Sequence, residues 1–150
     1  MNSSIAGVEI KKLTSHHDER GYFRELIRNS DAFFSEGFGQ WSISHIDTGI
    51  IKAWHIHHIQ TDWWYVHQGL VKLVICDLRP LSKTFKTIEE YLLGDEDHQM
   101  IIKVPPHVAH GCKVIKGPAD LFYITSQTYN PDDEGRIPPT DEAIGYDWKK

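Results

Sequence analysis

The sequence predicts an all-β sandwich or jelly roll, and three observations carry that prediction. Many short runs alternate apolar and polar residues or are rich in β-branched and aromatic types. Turn residues separate them at nearly regular intervals. Helical periodicity is weak throughout. Residues 8–13 form the first such run, and residues 22–28 the second, opening after Gly21. Ser30 to Ser35 reads as one helical turn with Ser30 as its cap. Residues 40–46 alternate Gln40, Ser42 and Ser44 with Trp41, Ile43 and His45, so one face of this strand differs from the other. A fourth run spans 50–57. Runs 62–68 and 70–77 flank Gly69, the pattern of a tight hairpin. Pro80 ends that pair, 87–92 follows, and Gly94-Asp95 turns the chain into 100–104. Pro105-Pro106 precedes the run 111–115, and Gly117-Pro118 the run 119–125. The segment after Tyr129, rich in Pro and acid, predicts an irregular surface tail anchored by Tyr146 and Trp148.

The chain has 150 residues, the length of one ordinary domain, 1–150. Lys plus Arg number 16 and Asp plus Glu 21, for a net charge of −5. That balance argues against nucleic acid held on a basic surface. It leaves room for a small anionic ligand met by a local Arg or Lys. No run of about 18 apolar residues predicts a membrane helix. Residues 1–10 lack a positive segment followed by a long apolar one, so a cytoplasmic protein is expected. Cys76 and Cys112 sit in apolar runs and read as two buried thiols rather than a disulfide. A small β domain must cover its sheet edges, and the N-terminal strand is the natural element to cross to a second copy, predicting a homodimer.

Histidine is the unusual count, at 10. His55, His57, His58, His67, His107 and His110 fall in two short clusters. Residues two apart on a strand face the same way, so His55 and His57 project together, with Ile51 and Ala53. Lys52 and Trp54 face the opposite side unless a bulge re-aims them. Asp62 follows a short connection and can fold back toward the same pocket, and His110 stands at a later strand entry.

Gly49, His55, His57, Asp62 and Gly69 are separated by five, one, four and six residues. This spacing resembles the first cupin motif, and Pro105 to His110 resembles the second. The resemblance implies a cupin-type double-stranded β-helix, a jelly-roll barrel. In metal-binding members it implies one divalent metal, here on His55, His57, Asp62 and His110. Asp62 stands where Glu is usual and His107 where Gly is.

A sharper resemblance runs over roughly residues 8–148. Asp18-Glu-Arg20-Gly21-Tyr-Phe23-Arg-Glu25 is similar to the Asp-x-Arg-Gly-x-Phe-x-Glu segment of dTDP-4-dehydrorhamnose 3,5-epimerases, which are themselves cupin-fold proteins. Gln40-Trp-Ser42, Ile51-Lys52-Ala53-Trp54-His55-Ile56-His57, the Gly69 to Arg79 segment and Ser82-Lys-Thr84-Phe85 resemble further family motifs in order. So do Val104-Pro-Pro-His-Val-Ala-His110-Gly111 and the segment from Tyr123 to Glu134.

The resemblance implies a dTDP-4-keto-6-deoxyhexose substrate in deoxysugar or cell-surface polysaccharide biosynthesis, and no cofactor. A C–H beside the C4 ketone is acidic because its carbanion delocalises as an enolate. One group removes the proton and another returns it from the opposite face. Carried over by position, His55 is the base, Tyr123 the acid, and Lys52 the cation near the keto oxygen or the phosphates. His110 lines the sugar pocket, Arg20 pairs with the diphosphate, Phe23 contacts the thymine, Glu25 and Gln40 lie near the nucleoside, and Tyr129 lies along the nucleotide. The family's Arg is Lys52 here, which loses bidentate geometry. His57 stands where the family has Gln, and Asp62 where it has Lys. The family's base is oriented by an Asp nearer its longer C-terminus, so His55 is expected to lean on Asp62 or a backbone group. A metal-dependent cupin enzyme and a non-catalytic sugar-nucleotide binder are the alternatives.

Other residues read as bystanders. His58, His67, His98 and His107 are expected on the surface, His16 and His17 in a loop, and Asp132-Asp133-Glu134 in a solvated turn. Trp63-Trp64-Tyr65 reads as core and interface, with Trp64 facing away from the other two.

Overall fold

The computed structural model describes residues 2–150. Two strands organise it: β6 (Asp62–Asp77) and β9 (Val108–Thr125) pair antiparallel along their whole lengths. The order β1-β8-β6-β9-β5-β10 forms the main sheet, with β4 added on β9 and β7 on β6. The shorter members are β1 (Glu9–Lys12), β4 (Gln40–Ile46), β5 (Ile51–His57), β7 (Ile88–Gly94), β8 (Met100–Val104) and β10 (Glu134–Arg136). β2 (Ser15–Asp18) and β3 (Gly21–Arg24) make a separate hairpin. The predicted all-β class holds.

The ends of β6 belong to different parts of the sheet. Its first residues pair with β8 and its last with β7. Likewise β9 pairs with β5 early and with β4 late. Between the halves of β6 the register slips around Val66, Gln68 and Leu70, the bulges that bend a strand. The expected hairpin at Gly69 is therefore a bend within one strand. Both halves keep β9 as their neighbour, so the chain turns a barrel corner without reversing. Gly69 has φ +87°, and a Cβ there would meet the Lys116 carbonyl at 2.7 Å and Ala119 Cβ at 2.8 Å. Only glycine fits.

Both faces of β6 are covered, which is why it reads as a nearly continuous apolar run. Trp64, Val66, Leu73 and Ile75 enter the central core with Ile102, Val114 and Leu121. Val74 and Cys76 face a second cluster with Trp54 and Trp148. Trp63 and Tyr65 pack with Phe34 and Ile101. Cys76 and Cys112 are buried free thiols, and burial first of all pushes each up to about 11.

Several local expectations change. The helical turn is Ala32–Phe34, with Asp31 rather than Ser30 at its N-cap. The Asp31 carboxylate accepts the Arg28 N–H at 2.9 Å and pairs with Lys11 at 2.8 Å, which leaves Ser30 no capping role. His16 and His17 lie in β2. Their run of polar residues gives no strand period, yet pairing with β3 makes one. Within the chain β1 pairs with β8, where buried Lys103 bridges Glu9 at 3.0 Å and Glu36 at 2.8 Å. The tail is anchored as predicted: Trp148 and Tyr146 pack against Trp54 at 5.0 and 6.0 Å between ring centroids. It also contributes β10. No helix among the described residues is long and apolar enough to cross a membrane.

Candidate active site

A cavity of about 310 Å³ opens between the two arms of the bent sheet. β5 supplies Lys52, His55 and His57 to its wall, β6 supplies Asp62 and Trp64, and β9 supplies His110 and Tyr123. Gln40 enters from β4, and Tyr129, Glu134 and Arg136 from the tail. Among the residues expected in the site, His55, Tyr123, Lys52, Gln40, His57, Asp62, His110 and Tyr129 thus come together.

Lys52 and His55 are three residues apart, so a regular strand would place them on opposite faces. The register of β5 against β9 shifts between them. That irregularity turns both toward the cavity and sends Trp54, fully buried, to the other side.

Three imidazoles converge. The rings of His55 and His110 lie 6.3 Å apart and those of His57 and His110 5.8 Å apart. His110 Nδ1 faces the Val108 carbonyl at 3.2 Å. Its Nε2 lies 3.4 Å from Asp62 Oδ2 and forms no hydrogen bond among the described residues. Asp62 accepts a 2.8 Å hydrogen bond from Gln60 Nε2. Burial opposes the charged form of Asp62, but the His110 contact, the His57 charge and Gln60 outweigh it and hold the carboxyl below its usual range. Asp62 therefore supports His110 and leaves His55 alone.

Burial first, and then the charge of His110, lower the pKa of His55. Glu134 acts in the opposite sense, while Arg136 and His57 add to the lowering. His57 is lowered by burial too, against the pull of Asp62. Both rings favour the neutral form that accepts a proton.

Ligand atoms of His57, Asp62 and His110 lie within 4.8 Å of one another, a set able to hold a metal ion. His55 is outside it, so the four-ligand arrangement is reduced to three. The one-residue spacing aligns His55 with His57, but across the ladder His55 stands opposite His110 and Arg136, and His57 opposite Glu134.

Asp133 corrects the expectation of a solvated turn. It is buried and accepts backbone N–H groups of His58 at 3.0 Å, Ile59 at 2.9 Å and Gln60 at 3.1 Å. The preceding Asn130-Pro131 marks the turn, and Asp in turns commonly captures nearby N–H groups. That signal was present in the sequence; the partner loop was not. Arg136 and Glu134, also missed as a pair facing the cavity, face it because β10 pairs with β5, Arg136 opposite His55 and Glu134 opposite His57. Gln40 holds the tail in place by accepting the Tyr129 N–H at 2.9 Å.

Arg20, Phe23 and Glu25 do not reach this cavity. Arg20 pairs with Asp18, its side chain 82% exposed, and Glu25 pairs with Arg28 at 2.7 Å. Phe23 is 66% exposed and lines a second, outer groove of about 750 Å³ with Tyr22, Phe38, Trp41 and Phe122. The β2–β3 hairpin lies on the Trp63 and Tyr65 side of β6, where Arg24 donates to the Tyr65 hydroxyl at 3.1 Å. The cavity lies on the Trp64 side. His58, His67 and His107 are exposed, as expected, while His98 is half-buried against Asp95 at 2.8 Å.

The profile of the dTDP-4-dehydrorhamnose 3,5-epimerase family matches residues 2–150. The chain is 44% identical over 147 residues to the spore coat polysaccharide biosynthesis protein SpsL of Bacillus subtilis, covering 96% of each. A dTDP sugar isomerase from Desulfovibrio desulfuricans superposes with a TM-score of 0.91 at 25% identity, over 97% of this chain and 92% of that one. The 3,5-epimerase RmlC of Legionella pneumophila, solved with dTDP-4-keto-L-rhamnose, superposes with a TM-score of 0.88 at 26% identity, over 99% and 81%.

Proposed function

The chain belongs to the dTDP-4-dehydrorhamnose 3,5-epimerase family, and we propose that it epimerises a dTDP-4-keto-6-deoxyhexose in polysaccharide biosynthesis. The observation that carries this reading is the meeting of His55 and Tyr123 in one cavity. They come from different strands, so a sugar between them is approached by two proton-transfer groups. Neutral His55 removes the proton beside the C4 ketone, and the Tyr123 hydroxyl returns one from the other side, inverting the carbon. Lys52 stabilises the negative charge gathered on the enolate oxygen. Asp62, His57 and His110 hold the sugar by hydrogen bonds on the cavity floor, and Gln40 and Tyr129 lie along the nucleotide. Both steps are proton transfers and draw on no cofactor.

The protein acts as a cytoplasmic homodimer. Its two buried cysteines suit a reducing compartment, and the exposed aromatics Phe23, Phe38 and Trp41 along the outer groove are an apolar surface that a second copy covers. Arg20, Phe23 and Glu25 then serve a nucleotide at the cavity of the second copy. Light scattering at micromolar concentration would give twice the chain mass; a monomer would remove this part.

The reaction is tested by incubating the protein with dTDP-4-keto-6-deoxyglucose in deuterated water. Deuterium appears at C3 or C5, and His55→Ala abolishes it while the far- and near-ultraviolet circular dichroism stays unchanged. No incorporation by the wild type from several dTDP- and GDP-keto sugars overturns the proposal.

A further inference from the structure

We propose that Arg136 is the guanidinium that grips the diphosphate of the nucleotide sugar, an inference that rests on the ligand class proposed above. Three observations lead to it. First, Arg136 stands directly across from His55 in the β5–β10 ladder and faces the cavity. Cross-strand neighbours have Cβ atoms about 5 Å apart, so the guanidinium works beside the proposed base. Second, it is not engaged elsewhere: its contact with Glu134 Oε1 is 3.4 Å long, and its side chain is 73% exposed. Third, the other Lys or Arg side chain on the cavity wall among the described residues is Lys52. Lys presents a point charge, whereas a guanidinium fork matches two oxygens of a phosphate. Arg136 presents such a fork to the same cavity from the neighbouring strand.

Exposure decides which anion it serves. The enolate oxygen forms inside, next to the buried imidazoles. A diphosphate is doubly charged, strongly hydrated and joined to the sugar from outside, so it stays at the rim where Arg136 lies. On binding, the phosphate oxygens take over from Glu134, whose carboxylate is drawn back toward His57 opposite it. Arg136 is thus a binding residue, distinct from the proton-transfer pair.

Calorimetric titrations of the full chain with dTDP and with inorganic pyrophosphate test this on the wild type, Arg136→Gln and Arg136→Lys. Arg136→Gln is expected to weaken both ligands about tenfold or more, and Arg136→Lys to recover part of the loss. In turnover, KM rises in Arg136→Gln while kcat is kept. Unchanged dTDP affinity in Arg136→Gln overturns the assignment, and a loss confined to kcat moves the guanidinium to the keto oxygen. A wild type that binds pyrophosphate through Arg136 but not dTDP keeps the assignment and removes the nucleotide reading. A wild type that binds neither removes both.

Discussion

Asp133 Oδ2 lies 3.9 Å from Nδ1 of His57, and the same carboxylate collects the N–H groups of residues 58–60. The tail and the loop after β5 are thereby tied together across the cavity. One bond further, Gln60 Nε2 fixes Asp62 at 2.8 Å. A residue at the rim of the site therefore shapes its floor.

Asp133→Ala strands three backbone donors. Leaving buried donors unpaired costs about 1–3 kcal/mol each when water cannot replace the lost partner. Re-entry of water limits the total here, and a loss of about 3 kcal/mol is expected in urea unfolding. A change below about 0.5 kcal/mol would mean the loop holds itself.

Tyr123→Phe separates the two proton transfers. Without the hydroxyl, His55 still removes the proton and exchanges it with solvent, then returns one to the face it came from. Deuterium wash-in should persist while the inverted product slows about 100-fold. Mass spectrometry of the substrate pool and proton spectra of the product read the two separately. Loss of both together would make Tyr123 part of the enolate step.

The pH profile follows from the lowered His55. Its reference value is 6.5, and burial, His110, Arg136 and His57 move it down against Glu134, with Lys52 on the same wall. The active form is neutral, present above the pKa and lost as pH falls through it. The acid limb of kcat/KM should thus have its midpoint below 6.5. In Glu134→Gln the carboxylate that favours the charged ring is removed, and the midpoint should move lower still. A midpoint above 6.5 would mean that another group governs the limb.

Chelation tests the cofactor-free reading. Deuterium wash-in measured after prolonged dialysis against a strong chelator should match the untreated rate. Loss on dialysis with recovery on adding one divalent metal would assign the His57, Asp62 and His110 set a metal.

Asp77 offers a stability test away from the cavity. It is fully buried and held by Arg79 at 2.8 Å, Ser82 at 2.6 Å and Thr84 at 2.7 Å. Burial opposes its charge, yet these partners outweigh it and drive its pKa far down. A depressed carboxyl stabilises the fold above its unfolded pKa, and that stability is lost as pH falls. Asp77→Asn should cost about 3 kcal/mol at neutral pH and flatten the decline of stability in acid. An unchanged acid slope would place the titrating group elsewhere.

Much of the fold was legible because its signals are local. The alternation of 40–46 needs only the pleat to become β4, and the apolar 100–104 needs only burial to become β8. Gly69 was legible as a special backbone position but not as a bend. A glycine at positive φ serves either, and the choice depends on whether both flanks keep the same neighbour. The site was legible where a motif fixed the residue: His55, His57, Asp62, His110 and Tyr123 all meet in the cavity. It was not legible at Asp133, where three acids in sequence look equally wet until a loop 73 to 75 positions away covers one.

By itself the sequence determined the all-β class, the family and the candidate residues His55, His57, Asp62, His110 and Tyr123, because alternation, turn residues and ordered motifs are written along the chain. Tertiary structure alone decided which of those residues share a cavity. The irregular register of β5 turned Lys52 and His55 into one cavity, and the pleat of β6 left the hairpin with Arg20 and Phe23, and Glu25 just after it, on the Trp63 and Tyr65 side, away from the cavity. The pairing of β10 set Arg136 against His55. A one-residue change of register turns a side chain to the opposite face, and register is settled by long-range pairing and packing that no local run of residues contains.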